Sequence, residues 1–136
     1  DVYKRQILGI AFKPNTDDIR EASSLVIIDQ LLKAGATINA FDPEVHTVPE
    51  FESHNRFNIV ENSYAAATNA DAVIIVTEWN TFRELDLPRL QSLMRTPVFF
   101  DLRNLYSAEK LIDVGFIPYV IGEHLIQEKV ETVEIT

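Results

Sequence analysis

The chain has 136 residues, which suits a single domain large enough to bury a hydrophobic core. Its 12 Lys and Arg residues against 21 Asp and Glu residues give a net charge of −9, which repels phosphate backbones and argues against a nucleic acid partner. Cysteine is absent, which excludes disulfides, thiolate metal sites and a cysteine nucleophile within this chain.

The hydropathy pattern does not indicate a membrane protein. No run approaches the roughly 18 consecutive apolar residues that a spanning helix needs. The N-terminal residues also lack the pattern of a signal peptide. With neither a signal nor a disulfide, we expect a cytoplasmic location.

The first predicted elements are a strand and a helix joined by a charged loop. Residues 1–6 show no apolar period and are interpreted as a linker remnant, whereas residues 7–12 form the apolar run of a buried strand. Apolar residues at helical spacing predict a helix over residues 23–34. The loop between them carries Lys13 and Arg20. These two cations either pair with neighbouring carboxylates or face a ligand, because ligands bind at the carboxyl ends of strands in open α/β sheets.

The remaining chain alternates between predicted strands and helices. The β-branched run at residues 71–76 is typical of a central parallel strand that is buried on both faces. The other strands are predicted over residues 37–41, 57–60, 98–100 and 116–120, and the other helices over residues 64–70, 85–94 and 107–114. This alternation predicts an α/β fold: a Rossmann-like three-layer sandwich with a mostly parallel sheet of five or six strands and helices on both faces.

Two polar segments predict no regular element. Residues 44–56 contain His46 and His54, whose spacing matches no compact metal-ligand motif, so we expect a surface loop and no metal site. Residues 123–136 form an acidic tail of unknown structure.

Polar loops after three predicted strands should meet at one edge of the sheet, and these loops are residues 13–20, 77–80 and 101–104. The edge would present Lys13, Arg20 and Arg103, which suit a phosphorylated ligand because guanidinium groups bind phosphate bidentately. Two alternatives remain: Trp79 either packs in the core or offers an aromatic face, and Arg103 either binds a ligand or pairs with Asp101. The four glycines form no GxGxxG fingerprint, so we expect no complete dinucleotide site in this chain.

Three stretches resemble the C-terminal, UDP-binding domain of the UDP-glucose 6-dehydrogenases. They are AFKPNTDDIRE at residues 11–21, DAVIIVTEWNTFRELD at residues 71–86 and FFDLRNLY at residues 99–106. The resemblance covers about residues 7–122 and implies a UDP-sugar-binding domain there. In that family a first domain binds NAD, and UDP-glucose is oxidised to UDP-glucuronate in two NAD-dependent steps through a covalent intermediate on a cysteine.

The resemblance implies roles for three residues. Lys13 and Arg103 match residues that contact the sugar nucleotide, and Arg20 matches one that reaches the NAD across the cleft. No catalytic residue is carried over, because the chain lacks both the cysteine and the N-terminal NAD domain, and the implied full enzyme is a homo-oligomer. The alternatives are a GDP-mannose or UDP-N-acetylmannosamine dehydrogenase, or a stand-alone module for nucleotide binding or oligomerisation.

Overall fold

The computed structural model describes residues 4–8, 19 and 23–120. The loop with Lys13 and Arg20 lies outside the described residues, and so does the predicted acidic tail. The strands are β1 (Lys4–Leu8), β2 (Thr37–Phe41), β3 (Phe57–Ile59), β4 (Ala72–Ile75), β5 (Val98–Asp101) and β6 (Ile117–Val120). The helices are α1 (Ser23–Lys33), α2 (Ser63–Ala67), α3 (Asn80–Arg83), α4 (Leu87–Leu93) and α5 (Ala108–Val114), and a short 3-10 helix spans Pro49–Phe51.

The strands form one sheet with the spatial order β3-β2-β1-β4-β5-β6, and every neighbouring pair is parallel. The chain therefore winds outward from β1 to β3, crosses back to β4 beside β1, and winds outward again to β6. The order reverses between β1 and β4, which is the topological switch point where doubly wound sheets bind ligands. The predicted Rossmann-like sheet is confirmed.

The core is divided between the two faces of this sheet. Val73 and Ile75 of β4 belong to a buried cluster that also contains residues of α4 and α5. Ile74, between them in the strand, belongs to a second cluster with Ile28 and Leu32 of α1. Because successive side chains of a strand point to opposite faces, helices cover both faces of the sheet, as the sequence predicts.

Two boundaries differ from the sequence prediction. β1 begins at Lys4, so the sheet includes residues 4–6, which the sequence analysis assigned to a linker remnant. Because residues 4–6 are polar, a search for apolar runs does not identify them as part of a strand. The helix predicted over residues 85–94 is α4, which begins at Leu87 because the Asp86 side chain caps it by accepting the backbone N–H of Arg89 at 3.2 Å; the short helix α3 before it was not predicted.

A capping serine and a left-handed glycine bound α5. Ser107 caps its start, accepting the backbone N–H of Lys110 at 3.1 Å. Gly115 ends it with φ of 111°, a left-handed conformation that glycine adopts without steric cost. Ser107 and Gly115 thus mark the start and the end of the helix that connects the loop after β5 to β6.

Candidate functional site

The loops that follow β4 and β5 lie side by side at the carboxyl edge of the sheet. Arg103, two residues beyond β5, donates a hydrogen bond from Nη2 to Oε1 of Glu78, three residues beyond β4, at 2.9 Å. The predicted convergence of these two loops is therefore confirmed. Because β4 borders the switch point, the Arg103–Glu78 pair lies beside the position where this fold binds ligands.

A second arginine completes this charged cluster. Nη2 of Arg83, the last residue of α3, lies 3.7 Å from Oε2 of Glu78. The side chains of Arg83, Glu78 and Arg103 are 47%, 37% and 40% exposed. Two guanidinium groups thus share one carboxylate at the surface, which gives the cluster a net positive charge on a chain that is acidic overall.

Asp101 shapes the loop that carries Arg103. This carboxylate is fully buried; Oδ1 accepts the backbone N–H of Arg103 at 3.1 Å and Oδ2 accepts that of Tyr106 at 2.8 Å. Asn104 follows with φ of 64°, in the left-handed region that asparagine enters more readily than most residues. Asp101 therefore holds the backbone of the loop, and the guanidinium of Arg103 pairs with Glu78 instead.

Trp79 is a packing residue. Its side chain is 8% exposed and belongs to the core cluster on the α4 and α5 face. Nε1 donates a hydrogen bond to Oδ2 of Asp42 at 3.3 Å. Of the two interpretations drawn from the sequence, the aromatic ligand platform is therefore wrong.

Asp42, directly after β2, is a buried anchor that the sequence analysis did not single out. It is 1% exposed, and its Oδ1 accepts the backbone N–H groups of Glu44 at 2.8 Å and Val45 at 3.0 Å. In dinucleotide-binding sheets, an acid near this position binds the ribose hydroxyl groups. Here both carboxylate oxygens of Asp42 accept hydrogen bonds from this chain, so Asp42 holds the backbone after β2 and binds the Trp79 indole.

Tyr106 connects the loop after β5 to the segment that follows β4. Its hydroxyl donates to the carbonyl of Phe82 in α3 and accepts the backbone N–H of Leu85 at 3.1 Å. Burial raises the pKa of this phenol above its ordinary value. The segment that carries Arg83 is thereby tied to the loop that carries Arg103.

Other site types find little support in the described part of the chain. It contains no group of three or more His, Cys, Asp or Glu residues placed to hold a metal. His46 is exposed, and Nδ1 of His54 accepts the backbone N–H of Arg56 at 3.2 Å. No helix within residues 23–120 is long and apolar enough to cross a membrane.

The strand order defines a doubly wound α/β domain, and Arg83 and Arg103 lie at its carboxyl edge. The comparisons with known proteins give the family. The model of the UDP binding domain of the UDP-glucose/GDP-mannose dehydrogenase family matches residues 6–108, so the chain belongs to that family.

Curated relatives are dehydrogenases of much greater length. The chain is 42% identical over 119 residues to the UDP-glucose 6-dehydrogenase of Pseudomonas aeruginosa, which covers 84% of this chain and 26% of the relative. It is 40% identical over 125 residues to the enzyme of the same name from Rhizobium meliloti, covering 88% and 27%. The chain thus spans about a quarter of the length of these relatives.

Solved structures agree with this assignment. The NDP-N-acetyl-D-galactosaminuronic acid dehydrogenase of Methanosarcina mazei matches with a TM-score of 0.79 at 30% identity, over 90% of this chain and 25% of that one. A UDP-glucose dehydrogenase of Pyrobaculum islandicum matches with a TM-score of 0.66 at 30% identity, over 80% and 24%.

Proposed function

We propose that this chain is the UDP-sugar-binding C-terminal domain of an NAD-dependent UDP-glucose 6-dehydrogenase, which converts UDP-glucose to UDP-glucuronate in two oxidations. The observation that carries the proposal is the guanidinium of Arg103 at the carboxyl edge of a doubly wound sheet, in a chain of this family. The names of the curated relatives favour UDP-glucose as the substrate.

Arg103 is the proposed contact to the diphosphate. A guanidinium has five N–H donors, and one of those of Arg103 is committed to Glu78, so the others suit phosphate oxygens. Lys13, from the loop that the sequence predicts after β1, is proposed to supply a second cation. Such placed charges are required because the chain carries a net charge of −9, which repels an anionic ligand at long range.

Arg20 is the residue proposed to reach the NAD, which would be bound mainly by an N-terminal domain outside this chain. When bound, NAD accepts the hydride in such oxidations. The chain holds no cysteine, so we propose that it does not catalyse the reaction alone. The complete enzyme is proposed to be a cytoplasmic homo-oligomer.

A second candidate is the same domain in a dehydrogenase that acts on another sugar nucleotide. Its support is the TM-score of 0.79 to a structure named as an NDP-N-acetyl-D-galactosaminuronic acid dehydrogenase. The two candidates share the diphosphate contact and differ in the sugar. A GDP-mannose dehydrogenase would differ in the base as well.

The test is a titration of the isotopically labelled 136-residue chain with UDP and with GDP, followed by NMR. We expect UDP to shift the amide signals of residues 76–79 and 101–104 with a millimolar dissociation constant, about −4 kcal/mol, because this chain supplies only part of the cleft. Arg103→Met should weaken UDP binding. Lys33→Met, which removes a cation from the last turn of α1, is the matched control and should bind UDP as the unaltered chain does.

Two results would contradict the proposal. Equal affinity of the unaltered chain and Arg103→Met for UDP would remove the proposed contact. Tighter binding of GDP than of UDP would favour the GDP-mannose alternative. A further titration with UDP-glucose and UDP-N-acetyl sugars would compare the two candidate substrate classes.

A further inference from the structure

We infer that Glu78 is a positioning residue, which holds the guanidinium of Arg103 in the orientation that binds the ligand's diphosphate. This inference rests on the proposed function and adds to it a residue that would not touch the ligand. It predicts that a negatively charged side chain next to the site strengthens the binding of an anion.

Arg103 is held at both ends by carboxylates. Asp101 accepts its backbone N–H at 3.1 Å, and Glu78 accepts its Nη2 at 2.9 Å. The loop and the far end of a long side chain are therefore both fixed. Among the described residues, Glu78 is the one carboxylate that receives a hydrogen bond from this guanidinium.

Preorganisation is the physical reason why this pair would matter. A mobile arginine side chain loses rotamer freedom when it binds a ligand, and that loss weakens the observed affinity. Pairing with Glu78 restricts the side chain of Arg103 before the ligand arrives. The pair is well exposed, and exposed ion pairs contribute little to folding, so the effect is expected in binding more than in stability.

Arg83 reduces the repulsion that Glu78 would otherwise exert on a phosphate. Its Nη2 lies 3.7 Å from Oε2 of Glu78, too far for a good hydrogen bond but close enough for attraction between charges. Glu78 can therefore hold Arg103 while the three side chains together keep a positive charge.

The sign of the effect of Glu78→Ala separates positioning from simple electrostatics. If Glu78 only contributed charge, its removal would tighten UDP binding, because one negative charge near the anion would be lost. Positioning predicts the opposite, a weakening of about three- to tenfold, which corresponds to the cost of immobilising one long side chain. Glu78→Gln keeps a neutral acceptor for Arg103 and should recover much of that loss.

The matched control is Glu84→Ala. Glu84 ends the same short segment, is exposed, and receives no hydrogen bond from Arg103. Its removal changes the net charge by the same amount, so it reports the general electrostatic effect alone. We expect it to leave UDP affinity unchanged or to tighten it slightly.

A double-mutant cycle tests whether Glu78 acts through Arg103. UDP dissociation constants are measured by NMR titration for the unaltered chain, Glu78→Ala, Arg103→Met and the combination, with folding checked for each by signal dispersion. Glu78→Ala should weaken binding in the unaltered chain and have no effect when residue 103 is Met. A merely structural role for Glu78 would weaken binding equally in both backgrounds.

The outcomes keep the two proposals distinct. If Arg103→Met weakens UDP binding but Glu78→Ala binds as tightly as the unaltered chain or more tightly, the positioning role is wrong and the proposed function stands. If Arg103→Met itself has no effect, or the unaltered chain does not bind UDP, both are wrong. Weakening by Glu78→Ala that vanishes in the Arg103→Met background supports both.

Discussion

The indole N–H of Trp79 donates to Oδ2 of Asp42 at 3.3 Å, and this hydrogen bond joins the loop after β4 to the loop after β2. β1 lies between those two strands, so the bond spans the carboxyl end of β1. Both partners are buried. The carboxyl edge of the sheet therefore contains a buried hydrogen bond, called here the internal frame, beneath its exposed charged side chains.

Disruption of this frame should destabilise the chain. Trp79→Phe keeps most of the packing but removes one donor to a buried carboxylate, so we expect the free energy of unfolding to fall by about 1–3 kcal/mol. Asp42→Ala should cost more, because the amides of Glu44 and Val45 lose their acceptor as well. Urea unfolding monitored by circular dichroism measures both.

The control for these variants is Asp29→Ala. Asp29 pairs with Lys33 across one turn of α1 at 3.0 Å, with both side chains well exposed. Such a pair contributes about 0.3–0.5 kcal/mol, so its loss should be small. A loss for Asp42→Ala no larger than that of Asp29→Ala would contradict the anchoring role of Asp42.

The buried phenol of Tyr106 gives stability a dependence on alkaline pH. Burial raises its pKa above the ordinary value of 10.0, so the folded chain keeps this proton where the unfolded chain has begun to lose it. The stability that the buried, neutral phenol contributes is therefore fully present below about pH 10. It is lost as the pH rises through the higher pKa of the folded state. Tyr106→Phe should remove this part of the decline and should itself cost about 1–2 kcal/mol at neutral pH, since the backbone groups of Phe82 and Leu85 lose their partner.

Urea unfolding at several pH values between about 8 and 11 compares Tyr106→Phe with the unaltered chain. Other groups titrate in this range in both proteins, so the difference between the two curves isolates the phenol. Parallel curves above pH 10 would show that the phenol does not contribute as expected.

The opposite end of β4 is fastened by a bidentate ion pair. Nε and Nη2 of Arg95 donate to the two carboxylate oxygens of Asp71 at 2.8 and 2.7 Å, and Thr96 Oγ1 donates to Oδ1 at 3.3 Å. The Asp71 side chain is 8% exposed, whereas that of Arg95 is 55% exposed. We expect Arg95→Met to lower the free energy of unfolding by about 2–3 kcal/mol, because the buried carboxylate of Asp71 loses its ionic partner, and Asp71→Ala to lower it by less, because water hydrates the exposed guanidinium of Arg95. Thermal unfolding of both variants checks this order, and the reverse order would contradict it.

The sheet was predictable from the sequence because its central strand, β4, consists of apolar residues that are buried. The β-branched run before Thr77 is apolar on both faces, and short helices separate it from the strands before and after it in the chain. β1 was placed too late because Lys4, Arg5 and Gln6 are polar, and the backbone pairing of a strand does not require apolar side chains.

The partners at the site were less predictable. Asp101 is two residues from Arg103 and was a natural candidate for its guanidinium, but a buried acid is needed for backbone amides in the turn. Glu78 is 25 residues away in sequence and becomes a neighbour only because β4 and β5 pair in parallel. The Trp79–Asp42 bond likewise depends on strand order, which no local pattern contains.

If the chain binds UDP, the ligand should also protect it from unfolding. A ligand that binds only the folded state at tenfold its dissociation constant adds about 1.4 kcal/mol to the free energy of unfolding. Thermal unfolding in the presence of UDP should therefore show a higher midpoint, with a smaller rise for Arg103→Met and for Glu78→Ala. Lys33→Met should retain the full rise, because its charge lies in the last turn of α1, away from the carboxyl edge. Equal rises for Lys33→Met and Arg103→Met would contradict a site centred on Arg103, since the protection would then follow the net charge of the chain.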